Sequence, residues 1–361
     1  MRKKIDYKLL ILIITFVIFG LLMVYSASNV VASFRYNDSL YYFKRQLLFS
    51  VIGIILMFYI SKIDIYKIKK YSSIFFFICV FLLILVLIVS TARGGAKSWL
   101  ALGSFSIQPS EFMKIALILV LSNYLSKYYS DLKKFKNFIL ILGLILAVFG
   151  LIMLQPDFGT GLVIVLSGIS LLFISGAPLK YFVILITFGV LGLGGLILSA
   201  PYRLDRILAF LNPWSDPLGS GFQGIQSILA VAPSGLFGLG FNKSIQKRFF
   251  LPEPQNDFIF AIICEELGLI GAIFLVSLYF IFVYKAIKLS LKVSDKYLSF
   301  VALGIGLSIF IQTVINICVV IGLLPITGIT LPFISYGGSS LVITLVGCGI
   351  LLNISKYEGV I

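Results

Sequence analysis

The sequence predicts an all-α integral membrane protein of about ten transmembrane helices. Three observations carry this. Of 361 residues, 60% are hydrophobic and only 12% charged, with mean hydropathy +1.10, a balance foreign to soluble domains. Apolar stretches of roughly 16 to 25 residues recur from end to end, each long enough to cross a bilayer as a helix. The basic residues sit in short loops between those stretches and alternate in density, as membrane topology requires.

Taken in order, the first span is expected over residues 9–27. Met1-Arg2-Lys3-Lys4 ahead of Leu9 to Val24 resembles a signal peptide, but the apolar core is longer than a typical one. An uncleaved first span is therefore expected, with Tyr25-Ser26-Ala27-Ser28 keeping the cleaved reading open. The following spans are expected at 43–61, 72–90, 110–127, 138–154, 157–175, 179–199, 257–284, 299–323 and 335–354. One set of loops carries Arg2, Lys3 and Lys4, then Lys62 to Lys70, Lys127 to Lys136, Lys180, Lys285 to Lys296, and Lys356. The other set has Arg35, Lys44, Arg45, Arg93 and Lys97 in its short loops. Both termini are thus expected in the cytoplasm. The whole of 1–361 reads as a single polytopic domain, with a long extracytoplasmic loop at 200–256 between spans seven and eight. No appended soluble domain, linker or low-complexity segment is expected.

The net charge of +15 does not call for nucleic acid, because its lysines serve topology and anionic headgroups. Cys79, Cys264, Cys318 and Cys348 all lie in apolar segments and form no Cys-x-x-Cys pair, so neither a disulfide frame nor a metal site is expected. Histidine is absent, which excludes His-based acid–base schemes, His metal ligands and His triads. Chemistry must run on carboxylates, Lys, Arg, Tyr, Ser or amides.

Spans four, six, eight and ten all begin on the side of the long loop. Their first turns hold Glu111 and Lys114, Asp157, Asp257, and Ser335-Tyr336-Gly337-Gly338-Ser339-Ser340. Helix N-termini offer free N–H groups and partial positive charge, so four at one level make an anion site. The glycines and serines of span ten, Ser335 and Ser339 among them, let a ligand approach the backbone closely. Glu111, Asp157 and Asp257 read either as ordinary caps or as functional acids. Lys114 opposes the dipole of its helix and needs another reason to be there. It pairs with Glu111 at i−3, or holds an acidic partner or a phosphate. Arg203 and Arg206 read as a cationic pair on a short interfacial helix or as residues snorkelling into headgroups. Lys243, Lys247 and Arg248 are expected to snorkel. Gln223 and Gln226 are amides at helical spacing, suited to sugar hydroxyls or to capping. Trp99 and Trp214 fit an aromatic belt, and Glu265 and Glu266 read as buried polar packing partners.

These residues fall in blocks that resemble the SEDS (shape, elongation, division and sporulation) family, the FtsW/RodA group, over nearly the whole chain. The blocks are Gly95-Ala96-Lys97-Ser98-Trp99-Leu100, Gln108-Pro109-Ser110-Glu111-Phe112-Met113-Lys114, and Gln155-Pro156-Asp157-Phe158-Gly159-Thr160. They continue as Gly221-Phe222-Gln223 with Gln226-Ser227, Leu251-Pro252-Glu253 with Asp257-Phe258-Ile259-Phe260, Glu265-Glu266-Leu267-Gly268, and Leu324-Pro325-Ile326-Thr327-Gly328 through Ser340. The resemblance implies a GT-C-like SEDS fold and polymerisation of lipid II into glycan strands at the outer face of the bacterial cytoplasmic membrane. It implies a single-span class B penicillin-binding transpeptidase and other divisome membrane proteins as partners. It makes Asp257 the catalytic residue and Glu111, Lys114 and Asp157 cavity residues. Lys97, Arg203, Arg206, Gln223, Gln226, Glu253, Ser335 and Ser339 join them as substrate-binding candidates. Asn242 to Lys247, Pro252 to Asp257 and Gly328 to Pro332 are more similar to the division and sporulation branch, so septal wall synthesis in cell division is the expected role, with an elongation or sporulation paralogue of the same chemistry as the alternative. Two departures stand out: Gln255 replaces the His of many members, and Ala232-Pro233-Ser234-Gly235 replaces a glycine-rich stretch, which stiffens the loop.

Such a reaction has a sugar 4-hydroxyl attack an anomeric carbon and expel lipid pyrophosphate, with Asp257 as expected base. Charge on the leaving group calls for Lys114, Lys97, Arg203, Arg206, helix N-termini or a divalent cation, Mg²⁺ or Mn²⁺; no organic cofactor is expected. A lipid II flippase is the main rival and would need polar residues deep in the spans, for which Gln312, Asn316, Glu265 and Glu266 are candidates. A non-catalytic scaffold gives no reason for Lys114. An ion-coupled transporter would need glycine-broken spans in matching halves.

Overall fold

The computed structural model describes residues 5–90, 98–102, 105–132, 134–198, 204 and 208–358. Ten long helices match the ten expected spans. They are α1 (Tyr7–Tyr36), α2 (Tyr41–Lys62), α3 (Ile65–Val89), α4 (Pro109–Lys127), α5 (Phe135–Met153), α6 (Phe158–Ile174), α7 (Leu179–Leu198), α9 (Ile259–Lys292), α10 (Lys296–Val320) and α11 (Gly338–Ile354). A short helix, α8 (Phe222–Val231), lies in the long loop. Among the described residues, seven helices are both long and apolar enough to cross a membrane, and Phe158–Ile174 is a shorter apolar helix. α4 is not one of the seven; its first two turns hold Glu111 and Lys114. Among the described residues, the one addition to the all-helical expectation is a hairpin, β1 (Leu100–Leu102) with β2 (Phe105–Ile107), antiparallel with Ala101 opposite Ser106. It leads into α4, where Pro109 takes the first helical position and supplies the preset φ that a first turn tolerates.

Aspartates start several helices by accepting backbone N–H groups that would otherwise be orphaned. Asp6 caps α1 through Lys8 and Leu9, Asp64 caps α3 through Tyr66, and Asp295 caps α10 through Tyr297.

The buried side chains form two clusters. One joins α1, α2, α9, α10 and α11; the other joins α3, α5, α6 and α7. α4 belongs to both, turning Ile115, Ile118 and Leu119 to the first and Met113, Leu117, Leu121 and Leu125 to the second. That central place fixes the height and rotation of Glu111 and Lys114. α2 and α11 cross closely because Gly349 lies against the Met57 backbone and Gly53 against Leu345, the small-residue contact that lets membrane helices approach. Apolar side chains such as Phe77, Phe81 and Ile88 stay exposed on the rim, as a bilayer solvent allows.

α9 is two helices in one. Gly268 sits at φ 65, ψ −163 and breaks it after residue 267. Loop residues enter the break: Leu239 N and Gly240 N donate to the carbonyls of Glu265 and Glu266 at 2.9 Å each, and Leu269 N donates to Gly235 O at 2.9 Å. A Cβ on Gly238 or Gly268 would collide with the opposite backbone, so glycine is required on both sides. Residues 269–292 that follow are still about 36 Å long at helical rise, enough to cross.

Candidate active site

The N-terminal ends of α4, α6, α9 and α11 gather at one end of the bundle, as expected. Gln108, the N-cap of α4, ties three of them: its Nε2 donates to Asp157 Oδ2 at 2.8 Å, and its backbone N donates to Ser339 Oγ at 3.3 Å. Asp157 caps α6 by accepting Thr160 N at 3.1 Å and also accepts Ser110 Oγ at 3.1 Å. It is a cap that also holds Gln108, a residue of the cavity wall.

One turn further into α4, Lys114 Nζ lies 2.8 Å from Glu111 Oε2, both side chains almost wholly buried. Lys114 Nζ donates to Gln312 Oε1 on α10 at 2.6 Å. Gln312 Nε2 donates to Thr330 O at 2.9 Å, and Thr330 Oγ1 lies 3.1 Å from Ser340 Oγ. Glu111 Oε2 faces the ammonium without hydrogen-bond geometry. This answers the question raised by a lysine in a first turn: it pairs with Glu111 and reaches across to α10. A polar cavity of about 30 Å³ opens here, lined by Gln108, Glu111, Lys114, Thr160, Gln312 and Thr330 with Gly328 and Ile329. That is room for a water or two, or for the oxygens of one anionic group, not for a sugar ring. A second, apolar hollow between α4, α10 and α11 shares Lys114 and Gln312 and continues past Ile115, Ile118, Ile309 and Ile343.

Asp257 stands beside this cavity. Asn316 Nδ2 donates to Asp257 O and to Ile329 O, each at 2.7 Å, and Ile329 is part of the cavity wall. Gln255 O accepts Tyr336 N at 2.8 Å. The segment before α9 is thereby docked on α10 and on the turn before α11. Asp257 itself is half-buried. Gln255 is buried and serves this docking. The stretch that begins at Ala232 forms a tight helical turn, Ala232–Ser234.

The other expected site residues fall into three groups. Ser339 joins the cluster through Gln108, while Ser335 Oγ accepts Leu331 N at 2.7 Å and shapes a turn. Glu253 is exposed and holds Asn256 Nδ2 at 2.7 Å, and Gln223 and Gln226 lie on α8, outside the cavity lining. Lys97, Arg203 and Arg206 lie outside the described residues. Among the described residues no three Asp, Glu or Cys side chains converge on a metal position.

Lys247 corrects an expectation. Instead of snorkelling it is buried, 3.0 Å from Glu266 Oε1. Glu265 and Glu266 are the buried polar partners expected, and their partners are loop residues 242–247. Sequence reasoning passed over Gln108 as a functional group and missed Gln46, whose Nε2 donates to Ser335 O at 3.1 Å and whose Oε1 accepts Gly337 N at 3.3 Å. The available signal was a lone amide among Leu47, Leu48 and Phe49.

A family model described as "Cell cycle protein", of the FtsW, RodA and SpoVE proteins, matches residues 7–359. The chain belongs to the FtsW/RodA/SpoVE family. It is 51% identical over 361 residues to stage V sporulation protein E of Bacillus subtilis, covering 99% of each chain. It is 41% identical to the probable peptidoglycan glycosyltransferase FtsW of Coxiella burnetii, over 94% of this chain and 92% of that one. Among solved structures, a chain described under structural coordination of polymerization and crosslinking by a peptidoglycan synthase complex superposes with TM-score 0.82 at 29% identity, covering 98% of each. The rod shape determining protein RodA of Thermus thermophilus gives TM-score 0.73 at 26% identity, over 98% of this chain and 97% of that one. The multi-pass helical membrane fold of this family is thus the fold of the chain.

Proposed function

We propose that this protein is a peptidoglycan glycosyltransferase that polymerises lipid II into glycan strands. The observation that carries the reading is the position of Asp257, held by Asn316 against the wall of a cavity lined by Glu111, Lys114 and the starts of α4 and α6. The names of the FtsW relatives and of the synthase complex support it. The lysine asymmetry supports cytoplasmic termini, which puts the site on the outer face of the membrane.

In the reaction, the 4-hydroxyl oxygen of one sugar bonds to the anomeric carbon of another as the bond from that carbon to the lipid pyrophosphate breaks. Asp257 takes the hydroxyl proton, assistance worth about 10²–10⁴-fold. Lys114 and the N–H groups at the starts of α4 and α11 face the negative charge that develops on the pyrophosphate. The apolar hollow beside Lys114 suits the start of the polyprenyl chain. Lys97, Arg203 and Arg206 are proposed as further cationic contacts. A divalent cation belongs to this reading only as a companion of the pyrophosphate, tested by chelation during the assay.

A single-span transpeptidase is the proposed partner, supported by the pairing of polymerization and crosslinking in the related complex. Septal wall synthesis is the proposed role. The 51% identity to the sporulation protein against 41% to FtsW favours its sporulation form over division. Restoration of sporulation in B. subtilis lacking that relative supports this; rescue only of FtsW-depleted cells supports division.

The test is a gel assay of purified protein with labelled lipid II, with and without the transpeptidase, comparing wild type with Asp257→Asn. Long glycan ladders from wild type and none from the folded, partner-binding variant are expected. Turnover by Asp257→Asn sinks the assignment. No ladders under any partner or metal condition shifts the reading to a flippase. That rival finds little support here, because Gln312 and Asn316 are spent at the site end and Glu265 and Glu266 on the loop.

A further inference from the structure

The first nine residues of α9, 259–267, form a short lever between Asp257 and the break at Gly268. The near end is docked by Asn316 and Tyr336, as described. The far end holds two consecutive carboxylates in a buried pocket made by loop residues 242–247. Glu266 Oε2 accepts Ser26 Oγ at 2.5 Å and Asn242 N at 2.9 Å; its Oε1 accepts Ser244 N at 3.2 Å and Lys247 Nζ at 3.0 Å. Glu265 Oε1 accepts Ile245 N at 2.9 Å and Gln246 N at 3.3 Å, and its Oε2 accepts Ser244 Oγ. Lys247 Nζ also donates to Asn242 Oδ1 at 2.5 Å. Four successive loop residues with inward N–H or ammonium groups therefore wrap two adjacent acids, and Ser26 of α1 closes the pocket.

The same loop strand then returns to the lever's near end. Leu251 N donates to Gln246 O at 2.9 Å, Asn256 N donates to Glu253 O at 3.0 Å, and the chain reaches Asp257. Lever and loop make a closed ring whose far junction combines this clamp with the backbone bonds of Leu239 and Gly240 to the carbonyls of Glu265 and Glu266. Charged groups this deeply buried are costly to strip of their partners, so the ring resists opening. A general base must sit within hydrogen-bond reach of the proton it takes, and a displacement of about 1 Å costs about 10²-fold in rate.

We propose that Glu265, Glu266 and Lys247 are positioning residues for Asp257: the clamp sets the angle of the 259–267 lever and the course of the 247–257 loop. The inference rests on the role proposed above for Asp257. None of the three lines the cavity beside Lys114, so their effect falls on the chemical step and not on substrate affinity.

Two variants test it, Glu265→Gln and the charge-neutral pair Lys247→Met with Glu266→Gln, each purified in complex with the partner transpeptidase. The expected result is a kcat for lipid II polymerisation about 10–100-fold lower, an unchanged KM, an unchanged acidic limb in the pH–rate profile, and faster amide exchange confined to residues 242–257. Wild-type kcat, a KM that rises in proportion to the loss, or exchange that stays at wild-type rates in that segment overturns the proposal. Should the double variant not fold, Glu265→Gln decides alone, since it orphans no lysine. Absence of polymerisation by wild type would overturn the function reading and this inference's catalytic half with it, while exchange still shows whether the clamp holds the loop.

Discussion

Among the described residues, two lysine–glutamate pairs are buried, and they are built differently. Glu266 is saturated: both oxygens receive two donors, and Lys247 spreads its protons over Glu266, Asn242 and Ser26. Glu111 and Lys114 are close but under-bonded, with Gln312 the lysine's hydrogen-bond acceptor and a polar cavity alongside. Full bonding suits a joint; spare bonding capacity beside a cavity suits a place where a ligand arrives. The distinction does not depend on burial, which is nearly the same for both.

The largest effect should come from breaking the saturated pair on one side. Lys247→Met leaves a buried carboxylate unpaired and should cost about 3–5 kcal/mol, read as a lower thermal midpoint in detergent. Lys114→Met should act mainly on rate, with polymerisation down about 10²–10³-fold while the thermal midpoint moves less than for Lys247→Met. Equal stability losses in the two variants would erase the contrast between joint and site. Gln312→Leu removes the bridge from α4 to α10 and should lower turnover by about tenfold, near 1.4 kcal/mol, with no change in partner binding. The smallest effect is expected at an exposed pair, Lys44 with Asp38, 2.8 Å apart on the surface. Asp38→Asn should leave both melting and turnover unaltered, and a rate effect there would mean that surface charge steers the substrate.

The spans were legible because hydropathy over 18 or more residues is a long signal, little disturbed by any one side chain. Asp257, Glu111, Lys114 and Asp157 were legible as acids and a base at helix starts; the structure puts Glu111 and Lys114 on one cavity, with Asp257 beside it and Asp157 bonded to Gln108 of its wall. The break at Gly268 was not legible. A glycine within an apolar run looks like any packing glycine, and the break exists only because a loop thirty residues earlier supplies the missing backbone partners. Lys247 misled for the same reason: its neighbours Lys243 and Arg248 are exposed, and only the fold of the loop sends it inward. The Leu100–Leu102 hairpin is too short to leave a period-2 pattern. Gln46 and Gln108 carry no pattern at all; an isolated amide reveals its role only when its two partners come from other helices.

The pairing of Gly235, Leu236, Leu239 and Gly240 with residues 265–270 also dictates an order of assembly. The chain is made from its N-terminus, so the loop is laid down before the helix that receives it exists. It has to wait, its N–H groups on water, until residues 269–292 have entered the bilayer and Gly268 can turn. The site therefore matures late: a chain truncated before α9 is complete has nowhere to seat the strand that leads to Asp257 and lacks the Gln312 that receives Lys114.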